Sequence, residues 1–124
     1  MRAHKLAWLG TRTDNPEATV EFFRSVLGLS VDHEEPGFVV LRLPDGAKVE
    51  VFGPGSDFNR HFTTGPVAGF LVDDVQAATA ELAAAGVEVV QAPVHDSRGN
   101  AWAHFRGPDG NLYELTQDPT VDRG

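Results

Sequence analysis

Two glutamates stand out because their surroundings repeat. Glu50 follows the turn Pro44-Asp45-Gly46 by four residues, and Glu114 follows Pro108-Asp109-Gly110 by the same four. Pro-Asp-Gly is a common turn by itself; its recurrence with a glutamate at one fixed offset is a stronger signal. Two carboxylates facing one concavity can attract a cationic ligand, serve as a general base, or hold Mg²⁺ or Mn²⁺ weakly with the help of water. Side chains alternate along a strand. Lys48, Glu50 and Phe52 therefore share one face, and Val49 and Val51 the other. Glu114 lies opposite Tyr113 and Leu115 in the same way. The apolar faces are expected to pack on helices, and the faces carrying Glu50 and Glu114 to line a concavity where two half-domains meet.

A third chemical group comes from Ala101–Arg106, whose alternation puts Trp102, His104 and Arg106 on one face. On a concave face Trp102 offers a flat apolar wall and His104 a polar or proton-transfer group. On the opposite assignment Trp102 is core and His104 caps a loop carbonyl, and alternation alone does not choose between the two. His61 lies with Phe58, Arg60 and Phe62 in a loop suited to a lid or a dimer contact. A lone histidine near a pocket is more often a hydrogen-bonding or surface group than a metal ligand. His4 and His33 read as surface residues, His95 as part of a polar loop over Val94–Asn100 at a pocket rim, and Trp8 as packing in the first strand.

The elements that must position these groups follow from punctuation and periodicity. Residues 6–12 read as a strand. Asp14-Asn15-Pro16-Glu17 then has the capping side chain, first-turn proline and early acid of a helix start. Val20, Phe23 and Leu27 recur at helical spacing, and Gly28 supplies a left-handed stop. Strands are predicted near 29–34, 38–43 and 48–52. After a Gly- and Pro-containing stretch the grammar repeats: a strand at 67–72, a helix begun by Asp73-Asp74, and Gly86 as its stop. Val75, Ala78, Leu82 and Ala85 mark the buried face of that helix. Strands near 87–91, 101–106 and 112–116 complete the second half, and the polar tail after Gln117 is expected to fray. Two helix-stop glycines and two matching hairpins in one order indicate internal duplication.

Composition narrows the function classes. Length suits one domain over 1–124, with modules 5–53 and 67–117 joined by loop 54–66. There is no cysteine, so disulfides, thiolate metal sites and cysteine nucleophiles are excluded. No apolar run approaches the roughly 20 residues that span a bilayer, and the N-terminal apolar stretch is too short for a signal sequence. The expectation is a cytoplasmic protein without membrane partners. The formal net charge of −8, from 18 acidic and 10 basic residues, comes without any Lys/Arg cluster, which argues against nucleic acid. It favours solubility above all, and a cationic ligand secondarily.

Nearly the whole chain, Leu6 to Thr116, resembles the vicinal oxygen chelate superfamily of glyoxalases, bleomycin-resistance proteins and dioxygenases. The resemblance rests on Thr13-Asp14 before a helix containing Phe22-Phe23-Arg24-Ser25-Val26-Leu27-Gly28-Leu29, and on Phe70-Leu71-Val72-Asp73-Asp74-Val75. Its third carrier is Phe105-Arg106-Gly107-Pro108-Asp109-Gly110-Asn111-Leu112-Tyr113-Glu114-Leu115. It implies an α+β fold of two tandem βαβββ modules forming a curved mixed sheet around a cleft. In metal-dependent members each module gives two ligands, one from its first strand and one from its last. Glu50 and Glu114 occupy the last-strand positions, whereas Ala7 and Val67 occupy the first-strand positions and cannot bind a metal.

The resemblance therefore implies a metal-independent small-molecule binder of the bleomycin-resistance type. It would be a homodimer with no required cofactor, beyond weak divalent binding at the two glutamates. Its ligand-facing residues are expected to be Ala7, Leu9, Glu50, Phe52, Val67, Trp102, His104 and Glu114. The alternative is a glyoxalase-like lyase or isomerase on a small carbonyl or thiol-conjugate substrate, with Glu50 or Glu114 as general base and His104 assisting.

Overall fold

A computed structural model describes all 124 residues. The fold is α+β: strands β1 (Leu6–Arg12), β2 (Ser30–Glu35), β3 (Phe38–Arg42), β4 (Lys48–Phe52), β5 (Val67–Leu71), β6 (Glu88–His95), β7 (Ala101–Arg106) and β8 (Leu112–Gln117), with helices α1 (Pro16–Glu21) and α2 (Val75–Ala84). Two compact units emerge, one of Leu9–Pro66 and one of Met1–Trp8 with Val67–Gly124. Strand β1 divides between them after Trp8. Within the first unit the strand order is β2-β3-β4-β1, and within the second β1-β5-β8-β7-β6. In the second unit β5 runs parallel to β8, while β8, β7 and β6 are antiparallel.

The duplicated hairpins fold alike to the level of single hydrogen bonds. Asp45 Oδ1 accepts from the Ala47 amide at 3.0 Å, and Asp109 Oδ1 from the Asn111 amide at 3.1 Å. Gly46 and Gly110 take φ of 89° and 83°, which a side chain would strain. The Arg42 guanidinium donates to the Gly46 carbonyl at 2.8 Å, and Arg106 to the Gly110 carbonyl at 2.9 Å. Each turn fixes the register of its strands, pairing Val40 with Glu50 and His104 with Glu114.

In the second unit Asp74 caps α2 by accepting from the Ala77 amide at 3.0 Å, and Gln117 Oε1 accepts from the Val75 amide. Val75 and Ala78 are buried against Val72, Ala101, Ala103 and Leu115, so the helix covers the sheet face opposite Glu114. Ala85 is exposed and Thr79 is buried in its place, its hydroxyl donating to the Val75 carbonyl.

Helix α1 departs further from the sequence pattern. After Glu21 the helix widens into a π-helical turn, Phe22–Val26, before Gly28 stops it at φ 76°. Extra residues per turn rotate later side chains off the helical stripe. Val20 and Phe23 pack on Leu41, Val49 and Val51, but Leu27 and Val26 stand 55% and 70% exposed. Asn15 makes no side-chain cap; its amide instead donates to Thr13 Oγ1.

Two further expectations are corrected. Strand β6 continues through Val94 and His95, where a loop was predicted, and pairs His95 with Ala101. Pro93 is tolerated because β6 is an edge strand whose register shifts between Gln91 and Val94. The tail does not fray: Asp118 Oδ1 accepts from the Thr120 amide and hydroxyl, turning Val121 into a cluster with Ala7 and Leu71.

Candidate functional site

The second unit carries the most concentrated chemistry. His104 and Glu114 face each other across β7 and β8, with His104 Nε2 hydrogen-bonded to Glu114 Oε1 at 2.8 Å. Neither is wet: His104 is 0% and Glu114 3% exposed. The turn Gly107–Gly110 places them opposite one another, and alternation aims both away from α2. The 2.8 Å contact orients the imidazole as an acid–base pair requires.

The parallel partner of Glu114 on β5 is Gly69. A Cβ at Gly69 would lie 2.9 Å from the Cβ of Trp8 and 3.4 Å from that of Glu114, so glycine is what allows Trp8 to seat there. The Trp8 ring is 7% exposed, with its centroid 6.4 Å from that of His104 and the planes tilted by 32°. Trp8, Gly69, His104 and Glu114 thus form one packed group. Trp8 is indeed packing, as the sequence suggested, but it packs at the candidate site. A lone glycine in an apolar strand often marks such close approach, and Gly69 was the available signal.

Of the other expected residues in this unit, Ala7 and Val67 are both 2% exposed and carry no donor atoms. Ala7 contacts Leu71 and Val121. Trp102 is half-buried opposite Thr116. In the first unit Glu50 is half-buried on the strand face that also carries Val40 and Phe52. Phe52 is 2% exposed, stacked on Phe38 at 5.1 Å and met edge-on by Phe62 at 6.2 Å. Leu9, expected among the ligand-facing residues, packs instead with the cluster of Leu41, Val49 and Val51. The loop over 54–66 is held by Arg12, which donates to the carbonyls of Ser56 and Phe58 at 2.7 Å each. Phe62 is buried rather than presented to a partner, whereas Phe58 is 64% exposed. Burial lowers the pKa of His61.

A divalent cation of the family kind does not fit these residues. Ala7 and Val67 offer no ligand, Glu114 is engaged by His104 in a dry setting, and no group of three His, Asp or Glu side chains is poised to hold an ion. A groove of ≈ 1070 Å³ lies elsewhere, in the Leu9–Pro66 unit between α1 and strands β2 and β3, and none of the expected site residues lines it.

Comparison with known proteins settles the family. The Glyoxalase/Bleomycin resistance protein/Dioxygenase superfamily model matches residues 5–115. The chain belongs to this superfamily. No match was found among curated proteins. Among solved structures, a superfamily member from Vibrio splendidus 12B01 is 26% identical, with TM-score 0.64, covering 89% of this chain and 95% of that one. Methylmalonyl-CoA epimerase in complex with methylmalonyl-CoA and NH4+ is 24% identical, with TM-score 0.72 and coverage of 98% and 99%. The hypothetical protein BH1468 from Bacillus halodurans C-125 is 19% identical, with TM-score 0.72 and coverage of 95% and 96%. These last two likenesses speak to the fold alone.

Proposed function

We propose that this superfamily member is a metal-independent small-molecule-binding protein, acting as a homodimer, whose ligand is cationic. The observation that carries metal independence is the 2.8 Å contact between His104 and Glu114. One oxygen of that carboxylate is already hydrogen-bonded to an imidazole, and Ala7 and Val67 leave two family ligand positions without donors. The class of ligand is supported by the net charge of −8, which biases encounter toward cations through the summed field. The test is the metal content of purified protein, with thermal-shift titrations of Ni²⁺, Zn²⁺ and Mn²⁺. Substoichiometric metal and an unchanged melting temperature are expected. One tightly held ion per chain, released together with stability by a chelator, would overturn metal independence.

A second reading is a lyase or isomerase working on the α-proton of a small carbonyl or thioester compound. It is favoured by the oriented His104–Glu114 pair; the thioester in the epimerase structure of the same fold supplies a probe compound. Here Glu50 or Glu114 takes the proton as general base and His104 fixes the geometry of Glu114. Its test is exchange of the α-proton of methylmalonyl-CoA in D₂O followed by NMR. Absence of exchange at enzyme-equivalent concentration removes this reading for that substrate.

A further inference from the structure

The groove of the Leu9–Pro66 unit combines two properties that one kind of ligand satisfies. Its floor is aliphatic: the half-buried side chains of Val20, Leu29 and Val39 border a volume of ≈ 1070 Å³, the size of small-molecule cavities, with Val51 buried beneath them. It is bordered on one side by α1 and the π-helical turn that continues it, through Glu17, Val20, Glu21 and Arg24, and on the other by β2 and β3. Its rim is acidic: Glu17, Glu21, Glu34 and Glu35 against a single guanidinium, Arg24. That guanidinium is bonded to Glu21 at 2.7 Å and is also attracted by Glu34, and Glu35 is met by His33 at 3.0 Å, so three carboxylates more than cations remain on the groove's own lining. An apolar floor under a negative rim rejects organic anions and favours an amphiphile with a positive charge.

We infer that this groove is a binding site for a bulky lipophilic cation, its apolar body on Val20, Leu29 and Val39 and its charge toward Glu17 and Glu34. The site is separate from the His104–Glu114 group. It deepens the proposed cation-binding role, on which it rests for its biological use, but not for the binding event itself. Binding buries apolar surface that the fold leaves open, and the carboxylates choose the sign of the charge.

The sign and the place can be tested separately with tetraphenylphosphonium and its anionic isostere tetraphenylborate, which share shape and differ in charge. By calorimetry on the intact protein, tetraphenylphosphonium is expected to bind with a Kd below about 0.1 mM, a modest demand on a ligand of its size. Tetraphenylborate should bind at least about tenfold more weakly. The exposed-rim variant Glu17→Gln/Glu34→Gln should weaken the cation about tenfold, the loss of two partly screened ion pairs. Methyl NMR should move Val20, Leu29 and Val39 first. Val31→Lys, on the open edge strand β2 where Val31 is 39% exposed, should also weaken the cation without loss of fold. Equal affinity for the two isosteres, or cation binding indifferent to the rim variant and to Val31→Lys, overturns the assignment. If Glu50→Gln alone abolishes cation binding, the groove is refuted while the cationic ligand class stands. If divalent metal binds stoichiometrically while the groove responds as expected, metal independence fails and the groove stands.

Discussion

Replacing His104 by leucine isolates what the buried pair contributes. The imidazole is 0% exposed and 2.8 Å from a carboxylate that is itself 3% exposed. Its loss leaves Glu114 in a dry interior without that partner. Breaking a buried pair from one side costs about 3–5 kcal/mol. In a domain of this length each kcal/mol lowers the melting temperature by about 4 °C, so His104→Leu should melt about 10–20 °C below the parent protein. The double variant His104→Leu/Glu114→Met removes both polar groups, and an apolar replacement of similar volume is often neutral. It should recover most of the loss, giving a coupling of at least about 2 kcal/mol in a double-mutant cycle. The assay is urea unfolding at pH 7 followed by far-UV circular dichroism, with m-values compared to exclude changes in the unfolded state. A single-variant loss under about 1 kcal/mol, or additive losses in the double variant, would refute the claim that the pair is dry and mutually dependent.

Three other outcomes follow from the same geometry. Gly69→Ala places a methyl 2.9 Å from Trp8 Cβ; it should cost about 1–3 kcal/mol and shift tryptophan fluorescence as the indole is displaced. Gly37 and Gly28 both have positive φ, 80° and 76°, but a Cβ at Gly37 would meet the Ser56 amide nitrogen at 2.9 Å and one at Gly28 would meet nothing. Alanine at Gly28 should cost about 1 kcal/mol and at Gly37 clearly more, and equal melting temperatures would contradict this. Slight burial opposes ionisation of Asp96, but hydrogen bonds from the Asn100 side chain and the Arg98 and Asn100 amides outweigh it and hold its carboxyl below the usual 3.8. A carboxyl with a depressed folded pKa stabilises above its unfolded pKa, and that stabilisation is lost as pH falls through the folded value. Asp96→Ala should therefore be less stable than the parent at pH 7, with the gap closing in strong acid; a gap independent of pH would contradict the assignment.

The sequence by itself determined the architecture of this protein and pointed to some residues of its candidate site. The strands, the two helix starts and the two glycine stops were legible because turn chemistry and alternation are local. The register was legible too, since the Pro-Asp-Gly turn that pairs His104 with Glu114 sets it within a few residues. Local signals do not report helix widening, so the rotation of Leu27 into solvent was hidden. Nor do they report long-range packing. The docking of Val121 against Ala7 and Leu71 depends on residues far apart in the chain, as does the seating of Trp8 over Gly69. Only the tertiary structure decided whether Glu114 was an open carboxylate or a closed one. One carboxylate oxygen meets an imidazole from the neighbouring strand, and that imidazole lies beside an indole from the other end of the chain, brought together by packing rather than by sequence proximity.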